Sequence, residues 1–291
     1  FNRLWVRYQR LVIPLLAALS FTVAMTALVR PYFDHPSLSD APTPFQVMAH
    51  VLLLQDVMFV EAFSAGVWYV AIDFQLFAMA VMCAGLAHRW QERTGQGSVI
   101  RKALGMWSIL TLASFFIWNL NPLGEIWGTY FFCSYGLGLC VGCWRWAGFK
   151  INYRILALML VCLGAASWWY QPRIRLVVAV AVAVLLALYE ATDCRPIPWL
   201  QSTWVKALSN GSYAIFLIHF GVSLLVSAVV FTHWSENVPI NALGMLTSFG
   251  LSLLAGALLH VQVEKKPPTV MRLVQWVATF VATCTAVMLF S

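Results

Sequence analysis

The chain has few charged residues. Only 10% of its 291 residues are charged, 18 Lys or Arg against 11 Asp or Glu, whereas a typical soluble domain has about 25%. Hydrophobic residues make up 61% of the chain. This composition excludes a soluble globular protein and leaves no room for a second large soluble domain.

Long polar stretches are also scarce, because continuous apolar runs fill most of the sequence. A helix needs about 20 apolar residues to cross a hydrocarbon core of about 30 Å. The runs are too long and too continuous for the ten-residue alternating strands of a membrane barrel. They predict an all-α, polytopic integral membrane bundle of about nine transmembrane helices, near 11–29, 66–87, 103–118, 127–144, 155–171, 176–190, 211–232, 240–263 and 273–290.

Basic residues are nearly absent from alternate loops. If the nine runs cross in succession, one side of the membrane receives 15 Lys and Arg residues and the other receives three. Positive loops stay in the cytoplasm, so the residue 1 end is predicted to be cytoplasmic and the residue 291 end extracytoplasmic. The asymmetry and contact with anionic membrane lipid account for the net charge of +7, and nothing supports nucleic-acid binding.

No cysteine falls in a predicted extracytoplasmic loop, where a disulfide would form most readily. Cys140 and Cys143 have the spacing of a metal-binding pair, but no second pair or nearby His completes a tetrahedral site. The sequence therefore predicts free cysteines packed as small hydrophobic residues, and no metal.

Three segments within or at the end of apolar runs carry ionisable residues, which are costly in hydrocarbon and often mark a substrate or proton path. They are residues 66–77 with Asp73, residues 209–220 with His219, and residues 260–267 with Glu264. Each group has a structural alternative: a hydrogen bond to a neighbouring helix, or an interfacial ion cluster for Glu264. In the second segment one helical face is small and polar, through Ser212, Phe216, His219, Ser223 and Ser227.

A fourth stretch, residues 45–65, is apolar but carries His50, Asp56 and Glu61. It is too polar to cross the membrane easily, and the charge pattern requires it to begin and end on the extracytoplasmic side. We expect an interfacial or re-entrant helix, with these side chains near an outside vestibule.

Taken in order, these segments resemble the acyltransferase-3 family of integral membrane O-acyltransferases. Residues 66–77, GVWYVAIDFQLF, resemble the family's W-S-L-x-x-E-x-x-F-Y helix, with Asp73 in place of Glu. Residues 209–220, SNGSYAIFLIHF, resemble its G-x-x-S-Y-x-x-Y-L-x-H helix, and residues 260–267, HVQVEKKP, its Y-x-V-E-x-P ending. The basic run before Pro14 resembles the entry to its third helix. The resemblance implies an acyltransferase-3-like membrane domain over 1–268 and an additional transmembrane helix over 269–291.

The resemblance implies transfer of an acyl group, commonly acetyl, from cytoplasmic acyl-CoA to a hydroxyl of a cell-envelope glycan or lipid-linked saccharide at the bacterial inner membrane. Its first two helices, including the His expected to be the principal base, have no counterpart here, so these 291 residues alone are expected to be inactive. The candidate residues are Asp73, His219 and Glu264 for catalysis, Arg3, Arg7 and Arg10 for the CoA phosphates, and Trp68, Ser212, Tyr213 and His50 for the acyl path or acceptor.

Two other functions fit the same pattern. A basic-inside bundle with intramembrane Asp and His is also typical of a proton-coupled transporter or a sugar-lipid flippase. The sequence has no paired halves with matching broken helices, which disfavours this alternative. A membrane subunit without activity of its own is the third possibility.

Overall fold

The computed structural model describes residues 2–32, 35–149, 152–192, 198–234 and 236–290. It is 82% helical and contains no strand over the described residues. The predicted all-α fold is therefore confirmed. The α-helices in this part of the chain are α1 Asn2–Val29, α2 Pro44–Val51, α3 Val67–Thr94, α4 Val99–Phe116, α5 Gly128–Cys143, α6 Tyr153–Tyr170, α7 Ile174–Ala191, α8 Thr203–Trp234, α9 Val238–Leu259 and α10 Val270–Phe290.

Eight of the described helices are long and apolar enough to cross a membrane, so the protein is a multi-pass membrane protein. The fourth predicted run, 127–144, corresponds to α5, which has only 16 residues and is not among these eight helices. Helix α1 begins at Asn2, well before the apolar run that starts near residue 11. The first turns of α1 carry Arg3, Arg7 and Arg10, so the helix begins before the apolar run 11–29.

The chain folds into two compact units. The terminal unit comprises residues 1–71 and 197–291, and the middle unit residues 72–196. The terminal unit thus contains α1, α2, the first turn of α3, and α8 to α10. The middle unit contains the rest of α3 together with α4 to α7.

Helices α8 and α9 of the terminal unit pack closely and antiparallel. A Cβ on Gly256 of α9 would lie 2.6 Å from the Cα of Ile215, and one on Gly244 would lie 2.8 Å from Cγ2 of Val230. As the numbers rise along one helix they fall along the other. Only glycine allows the two backbones this separation at Gly256, because any side chain would meet main chain.

In the middle unit, buried apolar residues join α4, α5, α6 and α7, and polar side chains complete the helix ends. The Oε1 atom of Gln75 accepts a hydrogen bond of 2.7 Å from the N–H of Gly128, the first residue of α5. The first N–H groups of a helix have no partner within the helix. Gln75 therefore has a structural role in capping α5, which explains a polar residue within the apolar α3.

Candidate functional site

Helices α1 and α8 run parallel in the terminal unit. The hydroxyl of Tyr213 donates a 2.9 Å hydrogen bond to the carbonyl oxygen of Leu11, and further along, Gly221 lies against Thr22. Both helices therefore begin at the same end of the unit. Since α9 is antiparallel to α8, it ends there, and α10 begins there.

Basic side chains gather at this end, which we call the basic end. Its members come from the starts of α1, α8 and α10 and from the turn after α9, and they are Arg3, Arg7, Arg10, Lys206, Lys265, Lys266 and Arg272. Arg3 and Arg10 are exposed, and Arg7 is half-buried. The fold thus brings the three arginines predicted to bind CoA phosphates together with basic residues far away in sequence.

A π-helical turn, His260–Glu264, ends α9 at the basic end. Its first and last side chains meet, with His260 Nδ1 2.8 Å from Glu264 Oε2. The turn packs against α1 and α8, and a Cβ on Gly211 would lie 3.8 Å from the Cβ and Cγ atoms of His260. The predicted residue Glu264 is therefore paired with a histidine beside Tyr213 and the arginine run.

A cavity of about 770 Å³ lies between α8 and α9, and we call it the α8–α9 groove. It starts near Ile215 and continues to Phe231, so it extends along α8 away from the basic end. Apolar side chains form most of its wall. The polar residues that line it are His35, His219, Ser223, Ser227, Asn241, Ser248 and Ser252.

His219 has a defined orientation in this groove. Its Nδ1 atom lies 2.6 Å from the carbonyl oxygen of Phe216. A carbonyl oxygen can only accept, so Nδ1 donates, and the Nε2 atom of the neutral ring carries the lone pair. The predicted polar face of α8 is thus realised in part: His219, Ser223 and Ser227 line the groove, whereas Ser212 is exposed and donates to the Ser209 carbonyl oxygen at 2.9 Å.

The segment from α2 to the start of α3 enters the terminal unit deeply. The hydroxyl of Tyr8, near the basic end of α1, donates a 2.6 Å hydrogen bond to the carbonyl oxygen of Val51. Tyr8 lies about 32 Å along α1 from Val29, at 1.5 Å per residue. A Cβ on Gly66 would lie 2.8 Å from Cζ of Phe216, which is near the middle of α8. The segment therefore reaches deep among the helices of the terminal unit, which favours a re-entrant path over an interfacial one.

Residues between α2 and α3 lack regular helical structure, and Leu53 and Phe59 have positive φ angles of 57° and 54°. Irregular backbone at membrane depth is tolerated where protein surrounds it. Here it follows an α2 that begins with a capping box between Thr43 and Gln46. The Nε2 atom of Gln46 also donates to the carbonyl oxygen of Glu61 at 2.7 Å, which ties the two ends of the segment together.

His50 is fully buried within this segment. Its Nε2 atom accepts a 3.2 Å hydrogen bond from the N–H of Phe63, and its Nδ1 atom lies 2.8 Å from the Gln46 carbonyl oxygen. Burial lowers the pKa of His50 to about 4. Both ring nitrogens are therefore engaged by main chain, and the ring holds the re-entrant segment in shape.

A family model described as an acyltransferase domain matches residues 1–291 of the chain. The chain belongs to the acyltransferase-3 family. The resemblance seen in the motifs is thus confirmed, and the protein is a membrane acyltransferase. No curated protein and no solved structure matches the chain.

Two further candidate residues of this acyltransferase lie on α3. Trp68, in the terminal unit, is 43% exposed, and its ring meets that of Tyr69 edge-on with centroids 6.0 Å apart. Tyr69 in turn contacts Phe216, with centroids 5.6 Å apart. Asp73 is half-buried in the middle unit. Trp68 thus belongs to an aromatic group that reaches α8.

Sequence reasoning missed two polar residues of the acyltransferase's terminal unit. His260 lies within the HVQVEKKP motif but is not among the candidate residues, although its i, i+4 spacing to Glu264 is a usable signal. Gln55 is fully buried and donates to Asp56 Oδ2 at 2.7 Å, and burial raises the pKa of Asp56. Nothing in the local sequence marks Gln55, because its burial depends on the re-entrant path.

No group of three His, Cys, Asp or Glu side chains in the described part of the chain could hold a metal ion. The cysteines there are free; Cys133 and Cys284 are buried, whereas Cys162 is exposed. Cys194 lies outside the described residues.

Proposed function

We propose that this acyltransferase moves an acyl group, most simply acetyl, from acyl-CoA to a hydroxyl of a cell-envelope glycan or lipid-linked saccharide. The reaction is then an O-acetylation at the bacterial inner membrane. In this arrangement the residue 1 end is cytoplasmic, where acyl-CoA is available, and the residue 291 end is extracytoplasmic. The proposed reaction uses acyl-CoA as its donor and requires no metal cofactor.

One observation carries the proposal: helix α8 joins the basic end to the α8–α9 groove. Acyl-CoA carries several phosphate charges, and guanidinium groups bind phosphates through paired hydrogen bonds. Arg3, Arg7 and Arg10 supply such groups beside Tyr213. From there α8 leads to His219 and a groove whose wall is mainly apolar. This order suits a charged donor at one end and an acyl or acceptor path along the helix.

In this proposal each candidate residue keeps the role that its chemistry suits. Tyr213 and the exposed Ser212 line the donor entrance, and His219 lines the acyl or acceptor path. Trp68 supplies an aromatic wall, and His50 shapes the re-entrant segment beside it. Asp73, His219 and Glu264 remain the candidate catalytic side chains.

The donor arm is tested by measuring acyl transfer in membranes that carry the protein expressed from its complete reading frame. Labelled acetyl-CoA is supplied, and ester-linked acetate on envelope glycans is scored by mass spectrometry. Arg7→Gln and Arg10→Gln should each raise the KM for acetyl-CoA about tenfold or more, because a charged hydrogen bond contributes about 1.5–3 kcal/mol. Arg89→Gln removes an exposed arginine of the middle unit and serves as the matched control.

The same membranes separate the competing functions. Esterification that requires acetyl-CoA and depends on His219 and Asp73, tested as His219→Gln and Asp73→Asn, supports the proposal. Transport of a saccharide or lipid across the membrane without acyl-CoA, and with no ester formed, would replace it with the transporter or flippase alternative.

A further inference from the structure

The first two turns of α1 carry an aromatic pair at the basic end. The rings of Trp5 and Tyr8 stack with their centroids 5.5 Å apart and their planes 15° from parallel. Trp5 is nevertheless 45% exposed, so Tyr8 covers only part of the indole. The remaining surface is available to a ligand at the basic end.

Tyr8 holds this pair in place. Its hydroxyl donates the 2.6 Å hydrogen bond to the carbonyl oxygen of Val51, so the ring is fixed by α1 at one end and by the re-entrant segment at the other. An indole that rests on a fixed ring loses little conformational freedom when a ligand binds, and preorganisation of this kind lowers the entropy cost of binding. Trp5 is therefore a preorganised surface for a planar group.

Positively charged side chains flank the indole. Arg3 and Arg7 are each two residues from Trp5 in α1, so their Cα atoms lie about 5.4 Å from that of Trp5. Two residues correspond to about 200° of rotation around a helix, so the arginines flank the indole and do not cover it. Glu264, which also lies at this end, is paired with His260 at 2.8 Å. A ligand that joins a planar ring to anionic groups matches this combination.

The nucleotide part of CoA is a ligand of this kind. Its adenine ring is joined through a ribose to a 3′-phosphate and a 5′-diphosphate. The proposed function assigns the phosphates to Arg3, Arg7 and Arg10 but assigns no residue to the adenine. Nucleic-acid bases stack on aromatic side chains, and such stacks contribute substantially to affinity.

We propose that Trp5 binds the donor by stacking on the adenine of acyl-CoA, beside the arginines that bind its phosphates. The inference rests on the proposed function, which places acyl-CoA at the basic end. It makes Trp5 a specificity residue, because an acyl-phosphopantetheine has the same thioester but no adenine. The role lies in binding and not in the chemical step, since the thioester is at the far end of the pantetheine arm.

Donor kinetics of Trp5→Leu and Trp5→Phe test the assignment in membranes that carry the protein from its complete reading frame. Loss of a base stack corresponds to about fivefold to 150-fold in affinity. Trp5→Leu should therefore raise the KM for acetyl-CoA by that factor and leave kcat unchanged. Trp5→Phe keeps an aromatic ring and should raise it less. The KM for S-acetyl-phosphopantetheine should not change in either variant.

Trp204→Leu is the matched control, because Trp204 is also near the start of a terminal-unit helix, α8, and is 80% exposed. Its KM for acetyl-CoA should equal that of the unsubstituted protein. If Trp204→Leu raised this KM and Trp5→Leu did not, the adenine contact would belong to α8 and the assignment would be wrong. An equal rise for both donors in Trp5→Leu would show that Trp5 supports α1 and does not contact the adenine.

Binding of adenosine 3′,5′-bisphosphate separates this inference from the proposed function, because this nucleotide has no pantetheine arm and no acyl group. It should raise the Tm of the unsubstituted protein in detergent, and raise that of Trp5→Leu by less. If no ester forms but this Trp5-dependent shift is present, the proposed function fails and a nucleotide site at Trp5 remains. If ester forms while the KM and the shift are unchanged in Trp5→Leu, this assignment alone fails, and Trp5 is an interfacial anchor.

Discussion

The two units of the protein are both apolar helical bundles, but they use polar residues differently. In the terminal unit, polar side chains such as His50, Gln55 and Gln46 are buried around a re-entrant segment, and His219 lines a groove. In the middle unit, polar side chains mainly complete helix ends, as Gln75 does for α5. A polar residue in an apolar run is therefore informative only once its partners are known.

A cluster in the middle unit illustrates the structural use of charge. Arg173 donates to Asn119 Oδ1 at 3.0 Å and to the carbonyl oxygen of Leu120 at 2.9 Å. Arg175 forms an ion pair of 3.0 Å with Glu125, and both arginines donate to the hydroxyl of Tyr130. These bonds fasten the turn between α4 and α5 to the start of α7. Each charged side chain of the cluster is hydrogen-bonded within the unit.

The largest expected effect comes from the close helix contact in the terminal unit. Gly256→Ala would place a Cβ 2.6 Å from the Cα of Ile215, so α8 and α9 must separate. We expect the free energy of unfolding to fall by about 3 kcal/mol, the upper part of the range for overpacked cores. Thermal unfolding in detergent measures it.

Gly250→Ala provides the control for this substitution, because it lies on the same helix and a Cβ there meets nothing within 4 Å. Equal stability of the two variants would show that α8 and α9 are not in close contact. It would also contradict the assignment of the α8–α9 groove to these two helices.

The next effect concerns pH and the buried His50. Burial lowers its pKa to about 4, whereas an unfolded histidine has a pKa of about 6.5. As pH falls from about 6.5 to 4, the unfolded state binds a proton that the folded state does not. Stability should therefore fall over this range, by about 3 kcal/mol in total.

Thermal unfolding at pH 7.5 and pH 5 measures the loss. His50→Gln should show less pH dependence than the unsubstituted protein, and His88→Gln should not, since His88 is exposed in the middle unit. Asp56, whose pKa burial raises, acts in the opposite sense, so the comparison between variants is decisive. Identical pH dependence of all three proteins would contradict the burial of His50.

A smaller effect is expected in the middle unit from Arg173→Gln. The substitution removes donors to Asn119, Leu120 and Tyr130, and we expect about 2 kcal/mol of destabilisation, as for a lost charged hydrogen bond. Activity per folded molecule should stay unchanged, because the role is structural. Arg154→Gln, at the exposed start of α6, is the control. If a stable Arg173→Gln protein lost activity, the charged cluster of the middle unit would have a functional role and not only a structural one.

The smallest effect comes from Glu125. Its hydrogen bonds from Arg175 and Tyr130 hold the pKa of the carboxyl below its ordinary value, so the stabilisation is present at neutral pH and is lost as pH falls through that lowered pKa. The side chain is 48% exposed, so the contribution is screened and should stay below about 1 kcal/mol. Unfolding of Glu125→Gln at pH 7 and pH 3 measures it. A larger loss than for Arg173→Gln would contradict this order.

Much of the fold follows from the sequence because membrane helices satisfy their own backbone hydrogen bonds, so an apolar run of sufficient length specifies a helix locally. The predicted run 155–171, for example, corresponds to Tyr153–Tyr170. The sequence placed α1 too late, since its basic first turns are helical but not apolar. It left the path of residues 45–65 open, because its depth depends on contacts with Tyr8 and Phe216.

The candidate site was predicted in part for the same reason. Local motifs identified Glu264, Tyr213 and the arginine run, and the parallel packing of α1 and α8 brings them to one end. The motifs did not indicate that His50 is engaged on both nitrogens by main chain, or that Gln75 caps α5. Phe63 is 13 residues from His50, and Gly128 is 53 residues from Gln75, so local sequence does not reveal either contact.

Hydropathy and short ordered motifs are local properties, so the amino-acid sequence is enough to predict a helical membrane acyltransferase of the acyltransferase-3 family. Helix packing was needed to show that residues 44–66 reach deep into the terminal unit, that α8 and α9 line a groove beside His219, and that His260 pairs with Glu264 in a π-helical turn. These features depend on which helices approach each other and how closely. Glycines at the contacts and polar side chains at the helix ends set the distance between neighbouring helices. Their roles can be recognised only once the packing of the helices is known.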